Sequence, residues 1–255
     1  MTEATDFLSN PRWWPEGRNS KARDIFATLL LHCGNDLKRE LWLDIGCGNG
    51  GIARYLASQV QQVVGVDPDP WKEWATLCQE NPNIVFYKGE YTDLEHLLGR
   101  GSVDVVVCNQ VYEHVDNPGA LLHSIEVVLK PGGICYFAGP NLLWPVEPHI
   151  SWPFVHWIPR KLAHGLMRRM GSKRIERFDA FSWTYWRLTR EFARIGFTYT
   201  VAIRERLVAS LHRRSMTRAA GTVARLPSAI FFCLAWCSPG FVFVLKKREL
   251  AFPTQ

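Results

Sequence analysis

The sequence lacks C-x-x-C pairs, although it contains seven cysteines. Thiols scattered without metal-type spacing argue against a zinc site or a disulfide framework, and they are typical of a reducing cytoplasm. A basic, apolar leader is also missing, since the chain begins MTEATDFLSN, which argues against a signal peptide. We find no internal repeat and no low-complexity tract. We therefore expect a cytoplasmic chain without a metal, and its 255 residues are enough for one α/β domain with a sizeable core.

Acidic residues are scarce in the second part of the chain. Residues 1–150 hold 11 Lys or Arg against 19 Asp or Glu, whereas residues 151–255 hold 19 against 5. This asymmetry indicates either an anionic partner for the second part or a solvated basic face. Both interpretations stay open.

Short apolar runs alternate with helical patterns in the first part of the chain. The predicted strands there are residues 41–45, 63–66, 84–87, 103–108 and 134–138. Amphipathic helices are predicted before the first strand and between the strands, and one of them ends at the Pro-Gly-Gly turn of residues 131–133. Strands this apolar, separated by helices, predict a parallel sheet that is covered on both faces.

The alternation stops after residue 141. Residues 142–182 are rich in Trp, Pro, His and basic residues and predict a cap inserted over the site, suited to a lipid interface or an amphiphilic acceptor. A helix at 183–195 and a strand at 197–201 follow.

Residues 226–245 are uncharged over about the length of a membrane span. Because Ser238-Pro239-Gly240 divides this run, we interpret it as a helix, a turn and a last strand. Membrane contact is the alternative.

The stretch LDIGCGNGG at residues 43–51 follows the first strand. Gly46 and Gly48 fit G-x-G-x-x-G together with Gly51, and G-x-G-x-G together with Gly50. A turn without side chains lets a ligand approach the main chain. Asp44 beside it would repel the pyrophosphate of a dinucleotide. It suits a ligand with a cationic head, such as S-adenosylmethionine.

A second acid, Asp67, ends the strand VVGVD about 20 residues beyond the first glycine. At that distance a carboxylate can accept hydrogen bonds from ribose hydroxyls. NAD and S-adenosylmethionine would both use it.

In combination these segments resemble the class I S-adenosylmethionine-dependent methyltransferases, in the ubiquinone-biosynthesis-like (type 11) branch. LDIGCGNG is similar to the first motif, VGVD to the second, and KGE to the end of the third strand. VVVCNQVYEHV is similar to the fourth-strand motif and LKPGG to the turn before the fifth strand. The resemblance covers roughly residues 41–141.

The resemblance implies an α/β fold with a Rossmann-like, doubly wound, seven-stranded sheet of order 3-2-1-4-5-7-6, whose last strand is antiparallel. It implies one domain with four parts. These are an N-terminal helical lid (1–40), a cofactor-binding core (41–141), the cap (142–182) and closing helices and strands (183–255).

The resemblance also implies S-adenosyl-L-methionine as the cofactor. The implied cofactor-binding residues are Asp44, Gly46, Cys47, Gly48, Gly50, Asp67, Pro68, Glu90, Tyr91, Asn109 and Gln110. Glu90 followed by Tyr91 departs from the usual Asp and small residue that contact adenine. Gln110 replaces the first acid of the metal-binding set in some relatives, so we expect no metal.

Methyl transfer from a sulfonium requires alignment of the reacting groups, and a hydroxyl acceptor also requires a base. The candidate catalytic residues are His149 in the cap and His114 after the fourth predicted strand.

We expect O-methylation of a small or lipid-linked amphipathic acceptor, in the cytoplasm or at the inner membrane surface. An anionic membrane surface is a candidate partner. No nucleic-acid partner is expected, because the Asn/Asp-Pro-Pro-Tyr motif and an RNA-binding module are absent. The alternatives are an NAD-dependent oxidoreductase, which shares the glycine turn, and a noncatalytic cofactor-binding relative. The oligomeric state is left open.

Overall fold

The fold is taken from a computed structural model that describes residues 15–147, 152–170 and 182–249. Every structural statement below concerns these residues.

Seven of the described strands form one sheet, and two short strands form a separate antiparallel pair. In chain order the strands are β1 Leu41–Ile45, β2 Gln62–Asp67, β3 Ile84–Lys88, β4 Val103–Asn109, β5 Leu129–Pro140, β6 Val146–Glu147, β7 Trp152–Pro153, β8 Phe197–Val201 and β9 Gly240–Lys247. The sheet order is β3-β2-β1-β4-β5-β9-β8, and β6 pairs with β7. When only the seven strands of this sheet are numbered in chain order, β8 and β9 become the sixth and seventh strands, and the order is 3-2-1-4-5-7-6. Because β9 runs antiparallel to both of its neighbours, the predicted fold class is confirmed.

Helices connect the strands of this sheet. They are α1 Pro15–Cys33, α2 Gly51–Ala57, α3 Glu73–Glu80, α4 Leu94–Leu98, α5 Pro118–Val128, α6 Arg160–Arg169, α7 Tyr185–Ile195, α8 Ile203–Arg213, α9 Thr217–Arg225 and α10 Ser228–Leu234. One helix was predicted between the last two strands, and the structure has three. Pro227 lies two residues after the end of α9, and a proline disfavours a helical conformation in the residue before it, here Leu226.

Alternate residues of the central strands face opposite sides of the sheet. Trp42 and Val105 pack with α1 and α2 on one face. Leu43 and Val106 pack with α5 and α7 on the other. All four side chains are fully buried. This two-sided burial explains why the strands are continuous apolar runs rather than alternating ones.

The predicted Pro-Gly-Gly turn lies inside β5. Val103 of β4 pairs with Leu129, but Val105 pairs with Ile134, so extra residues bulge out of β5 between these two pairs. Gly132 within the bulge has a φ of 76°, a conformation that favours glycine. The predicted turn is therefore present, and β5 pairs with β4 both before and after it.

The uncharged run forms α10, a short 3-10 helix at Ala235–Cys237 and β9, which confirms the interpretation as helix, turn and strand. Within the described residues, no individual helix has the length and apolar composition of a membrane span. Thr217–Arg225 and Ser228–Cys237, bent by 87° at their junction, pass that test of length and composition only when taken together.

Candidate cofactor and methyl-transfer site

The glycine turn joins β1 to α2 at the carboxyl edge of the parallel strands. Gly46, Gly48 and Gly50 have φ values of 65°, 54° and 80°, which side-chain-bearing residues rarely adopt. The Gly46 nitrogen donates to the Val66 carbonyl at 2.8 Å and so ties the turn to the end of β2. The turn is therefore both fixed and free of side chains at these positions.

Asp67 ends β2 beside this turn. Its Oδ2 accepts a hydrogen bond from the Gly48 nitrogen at 2.8 Å, and its Oδ1 accepts one from the Asp69 nitrogen at 3.1 Å. Each carboxylate oxygen has a further lone pair. Asp67 is thus oriented by the backbone and can still accept hydrogen bonds from a ligand.

Asp44 lies within β1, one residue before the strand ends. The residue is 1% exposed, and its Oδ2 has no hydrogen-bond partner among the residues that the structure describes. Burial raises the pKa of this carboxyl to about 7, the Arg18 charge opposes the rise, and Asp67 adds to it. An uncompensated buried carboxyl is costly, so this oxygen is a position where a donor from a ligand would be stabilising.

Arg18, which the sequence analysis missed, reaches this site from α1. It is 7% exposed. Burial lowers the pKa of its guanidinium, while the charges of Asp44 and Asp67 oppose that fall. A Cβ added to Gly51 would lie 2.7 Å from the Arg18 Cβ. Glycine at position 51 therefore allows α1 to pack against the turn and to bring a cation to the two carboxyls.

The loop after β4 approaches the turn from the other side. A Cβ on Gly46 would lie 2.7 Å from Val111 Cγ2. Gln110 is exposed and has a φ of 61°, and its nitrogen donates to the Ala138 carbonyl at 2.7 Å. Non-glycine residues held in this conformation concentrate at functional sites. Asn109, directly before it, is half-buried.

The other predicted cofactor residues lie at the same edge of the sheet, with different exposure. Cys47 is fully buried, and burial raises the pKa of its thiol. Pro68 is exposed and Tyr91 is half-buried against the core. Glu90 is exposed, and its backbone nitrogen donates to Asp93 Oδ2 at 2.8 Å. The contact of Glu90 with adenine stays a prediction.

Tyr112, Glu113 and His114, which follow in the same loop, have different environments. Tyr112 is fully buried; its hydroxyl donates to the Pro140 carbonyl and accepts from the Trp183 nitrogen, so it holds β5 to the residues directly before α7. Glu113 is buried, whereas the His114 side chain is 49% exposed with its Nε2 4.0 Å from Glu113 Oε1. His149, the other candidate base, lies outside the described residues.

Metal ligands are not clustered in the part of the chain that the structure describes. No group of three or more His, Cys, Asp or Glu side chains there is arranged to hold an ion.

Comparison with known proteins agrees with this geometry. Residues 43–137 match the family described as "Methyltransferase domain", and they contain β2 to β4 and most of β1 and β5. The core is thus similar in sequence to methyltransferase domains.

The domain has relatives that act on different atoms. A ubiquinone biosynthesis O-methyltransferase of Aliivibrio fischeri is 33% identical over 138 residues, covering 51% of this chain and 58% of the relative. The human thiol S-methyltransferase TMT1B is 31% identical over 142 residues, covering 53% and 55%. The chain thus spans a little over half the length of these curated relatives.

Solved structures share the fold over nearly the whole chain. The plantazolicin methyltransferase BamL, solved with a triazolic desmethylPZN analog and S-adenosylhomocysteine, superposes with a TM-score of 0.57 at 16% identity, covering 97% of this chain and 95% of that one. At this identity the likeness establishes the fold. Helices α8 to α10 and β9 therefore complete a methyltransferase fold around the matched core.

Proposed function

We propose that this protein is an S-adenosylmethionine-dependent methyltransferase that binds its cofactor with the residues at the glycine turn. The observation that carries the proposal is the buried carboxyl of Asp44 beside a turn with three left-handed glycines. A ligand with an ammonium group supplies the donor that Asp44 Oδ2 lacks among the described residues. A dinucleotide would instead bring a pyrophosphate toward this carboxyl.

The other charged groups fit the rest of that cofactor. Asp67 accepts the ribose hydroxyls, for which it retains lone pairs. Arg18 faces the carboxylate of the methionine moiety, because guanidinium and carboxylate form charge-assisted pairs. The bound cofactor supplies an activated methyl group, so the chain mainly has to align the acceptor and exclude water. Helix α1, within the lid of residues 1–40, covers the turn for this purpose.

The acceptor in this proposal is a small or lipid-linked amphipathic compound with a hydroxyl group. The similarity to an O-methyltransferase of Aliivibrio fischeri supports oxygen as the methylated atom. The cap (142–182) supplies apolar surface, since Phe154, Trp157 and Leu162 are exposed. His114 is the base in this proposal. The nearby Glu113 carboxylate would stabilise the imidazolium that forms when the ring takes the proton.

Isothermal calorimetry with S-adenosylhomocysteine and NADH tests the cofactor. We expect heat of binding for the former and none for the latter; the reverse result, or silence with S-adenosylhomocysteine, overturns the proposal. The variant Gly48→Val should lose binding, because a branched side chain would stand where a ligand approaches the main chain of the turn. Gly99→Val is the matched control, since it also places valine at a positive φ, here 81°, but lies before β4 and away from the glycine turn. It should bind as the unmodified chain does.

Transfer of labelled methyl groups to three amphipathic probes tests the acceptor atom. The probes share one alkyl chain and carry a phenol, a thiol or an amine. Label on the phenol supports O-methylation. Label on the thiol or the amine alone overturns this part and leaves the cofactor assignment intact.

A further inference from the structure

The apolar helix α10 contributes no buried residue to the fold. Its sequence is SAIFFCL, and Ile230, Phe232 and Leu234 are 43%, 53% and 54% exposed. Trp236, which follows in the 3-10 helix, is 47% exposed and stacks on Trp186, which is 55% exposed. We call these five side chains the C-terminal apolar patch. Contiguous exposed apolar surface of this kind marks an interaction site.

The aromatic side chains of the C-terminal apolar patch are connected through Tyr185. The ring centroids of Trp186 and Trp236 lie 6.0 Å apart, and those of Tyr185 and Phe232 lie 6.3 Å apart. Tyr185 also contacts Trp186 at 6.4 Å. Because Tyr185 is buried, it anchors the exposed rings to the core. The patch is therefore held in place by packing beneath it.

This patch lies at the edge of the sheet that carries the proposed cofactor site. Gly240, which opens β9, pairs with Pro140 at the carboxyl end of β5. The Asn141 side chain donates to the carbonyls of Trp236 and Ser238 at 2.8 and 2.9 Å. Since β1, β4 and β5 are parallel, their carboxyl ends share this edge. The patch thus lies at the same edge of the sheet as the proposed cofactor site.

The segment that contains α9, α10 and β9 is basic. From Arg206 to Arg248 the sequence contains no Asp or Glu. Arg206 and Arg213 pair with the buried Asp24. Arg218 and Arg225 are exposed and lie seven residues apart on α9, which places them on the same face of that helix.

A basic helix joined at 87° to an exposed apolar helix has the two features that bind anionic lipid. Apolar side chains enter the boundary between headgroups and acyl chains, and arginines attract the acidic headgroups. We propose that the C-terminal apolar patch and the basic face of α9 dock this protein on an anionic lipid bilayer. The charge decides for this occupant, because a second copy of the chain would place like charges opposite one another.

Docking on lipid does not depend on methyl transfer, but its use in reaching a lipid-linked acceptor rests on the proposed function. The two are measured separately. Vesicle binding reports the docking surface, and calorimetry with S-adenosylhomocysteine reports the cofactor site.

Co-sedimentation of the full chain with vesicles tests the proposal. We expect it to pellet with vesicles containing equal parts of phosphatidylglycerol and phosphatidylcholine at low ionic strength, to pellet less at physiological ionic strength, and to stay in solution with phosphatidylcholine alone. No binding to the anionic vesicles at either ionic strength overturns the proposal.

Two variants and a control locate the surface. Phe232→Ser should reduce the bound fraction, whereas Leu31→Ser should not, because Leu31 is equally exposed at 52% but lies on α1, outside the C-terminal apolar patch. Equal binding by Phe232→Ser and the unmodified chain overturns the assignment.

The double variant Arg218→Gln, Arg225→Gln changes only exposed side chains and keeps the test decisive if Phe232→Ser fails to fold. Each arginine at an anionic surface is worth about fivefold in partitioning, so the double variant should bind on the order of 25-fold more weakly. Undiminished binding contradicts the proposal. Gel filtration should give the same size for Phe232→Ser and the unmodified chain, and a dimer that Phe232→Ser dissociates would show a second copy as the occupant instead.

Discussion

The protonation of Asp44 predicts a pH dependence of cofactor binding. Burial raises the pKa of this carboxyl to about 7, so the group is mostly neutral at about pH 6 and mostly charged at about pH 8. An ammonium group binds the charged form. The association constant for S-adenosylhomocysteine should therefore rise about tenfold between these two pH values, as the charged fraction rises from about one in eleven to about ten in eleven.

The same equilibrium predicts proton release on binding. Calorimetry in buffers of different ionisation enthalpy should detect about 0.9 proton released per ligand at about pH 6 and about 0.1 at about pH 8, which are the protonated fractions for a pKa of 7. Asp44→Asn cannot ionise, so its affinity should be flat over this range. At the upper pH it should bind about 10- to 150-fold more weakly, because it loses a hydrogen bond to a charged group.

As the pH rises, the stability of the unliganded protein should fall while its affinity for the cofactor rises. The pKa of Asp44 is raised from 3.8, so the folded chain holds this proton more tightly than the unfolded chain. The unliganded protein should therefore lose free energy of unfolding as the pH rises from about 4 to about 7, by up to about 4 kcal/mol from this group. Urea unfolding at a series of pH values measures this change.

Asp69→Asn is the matched control, because Asp69 is exposed near the same turn and contributes its backbone nitrogen to Asp67. It should keep both the affinity and the pH profile. A flat profile for the unmodified chain, or an unchanged profile in Asp44→Asn, would refute the reasoning about Asp44.

Three further variants test other parts of the structure. Gln110→Gly should raise the free energy of unfolding by about 1 kcal/mol, because glycine adopts a φ of 61° without strain; a lower urea midpoint would contradict this. Asp24→Asn should cost about 3 kcal/mol, since it leaves Arg206 and Arg213 without their buried carboxylate, and a thermal midpoint within one degree of the original would argue against it. His114→Gln should lower kcat about 100-fold or more with unchanged affinity for S-adenosylhomocysteine; an unchanged kcat would remove His114 as the base.

The sequence was sufficient to predict the sheet, for physical reasons. A strand buried on both faces must be apolar at every position, so β1 and β4 stand out from the helices between them. The glycine turn was equally predictable from the sequence. Positions 46, 48 and 50 have a left-handed backbone, which glycine adopts freely and other residues rarely adopt.

The residue that sequence reasoning missed, Arg18, precedes Asp44 by 26 positions, and only the packing of α1 brings the two together. A signal was nevertheless present. Arg18, Ala22, Ile25 and Leu29 follow the i, i+4, i+7, i+11 spacing of one helix face, and all four are buried. A charged residue on an apolar helix face requires a partner of opposite charge, but the sequence alone did not identify which residue that partner was.

The number of helices before β9 was also missed. Residues 203–225 carry many arginines, and no separate helices were predicted there. The structure shows that Arg206 and Arg213 on α8 are partly buried against the single acid Asp24. Contacts between segments this far apart leave no local periodicity to detect.

Helix α1 therefore connects the two halves of the chain with two opposite charges. Arg18 faces the carboxyls at the glycine turn, and Asp24, about a turn and a half further on, holds two arginines of α8. Some of the excess arginines of residues 151–255 are thus paired with an acid of residues 1–150 within the fold and are not free surface charges. The arginines of α9 have no such acid among the described residues, and this difference separates the basic residues that stabilise the fold from those that are available to a lipid surface.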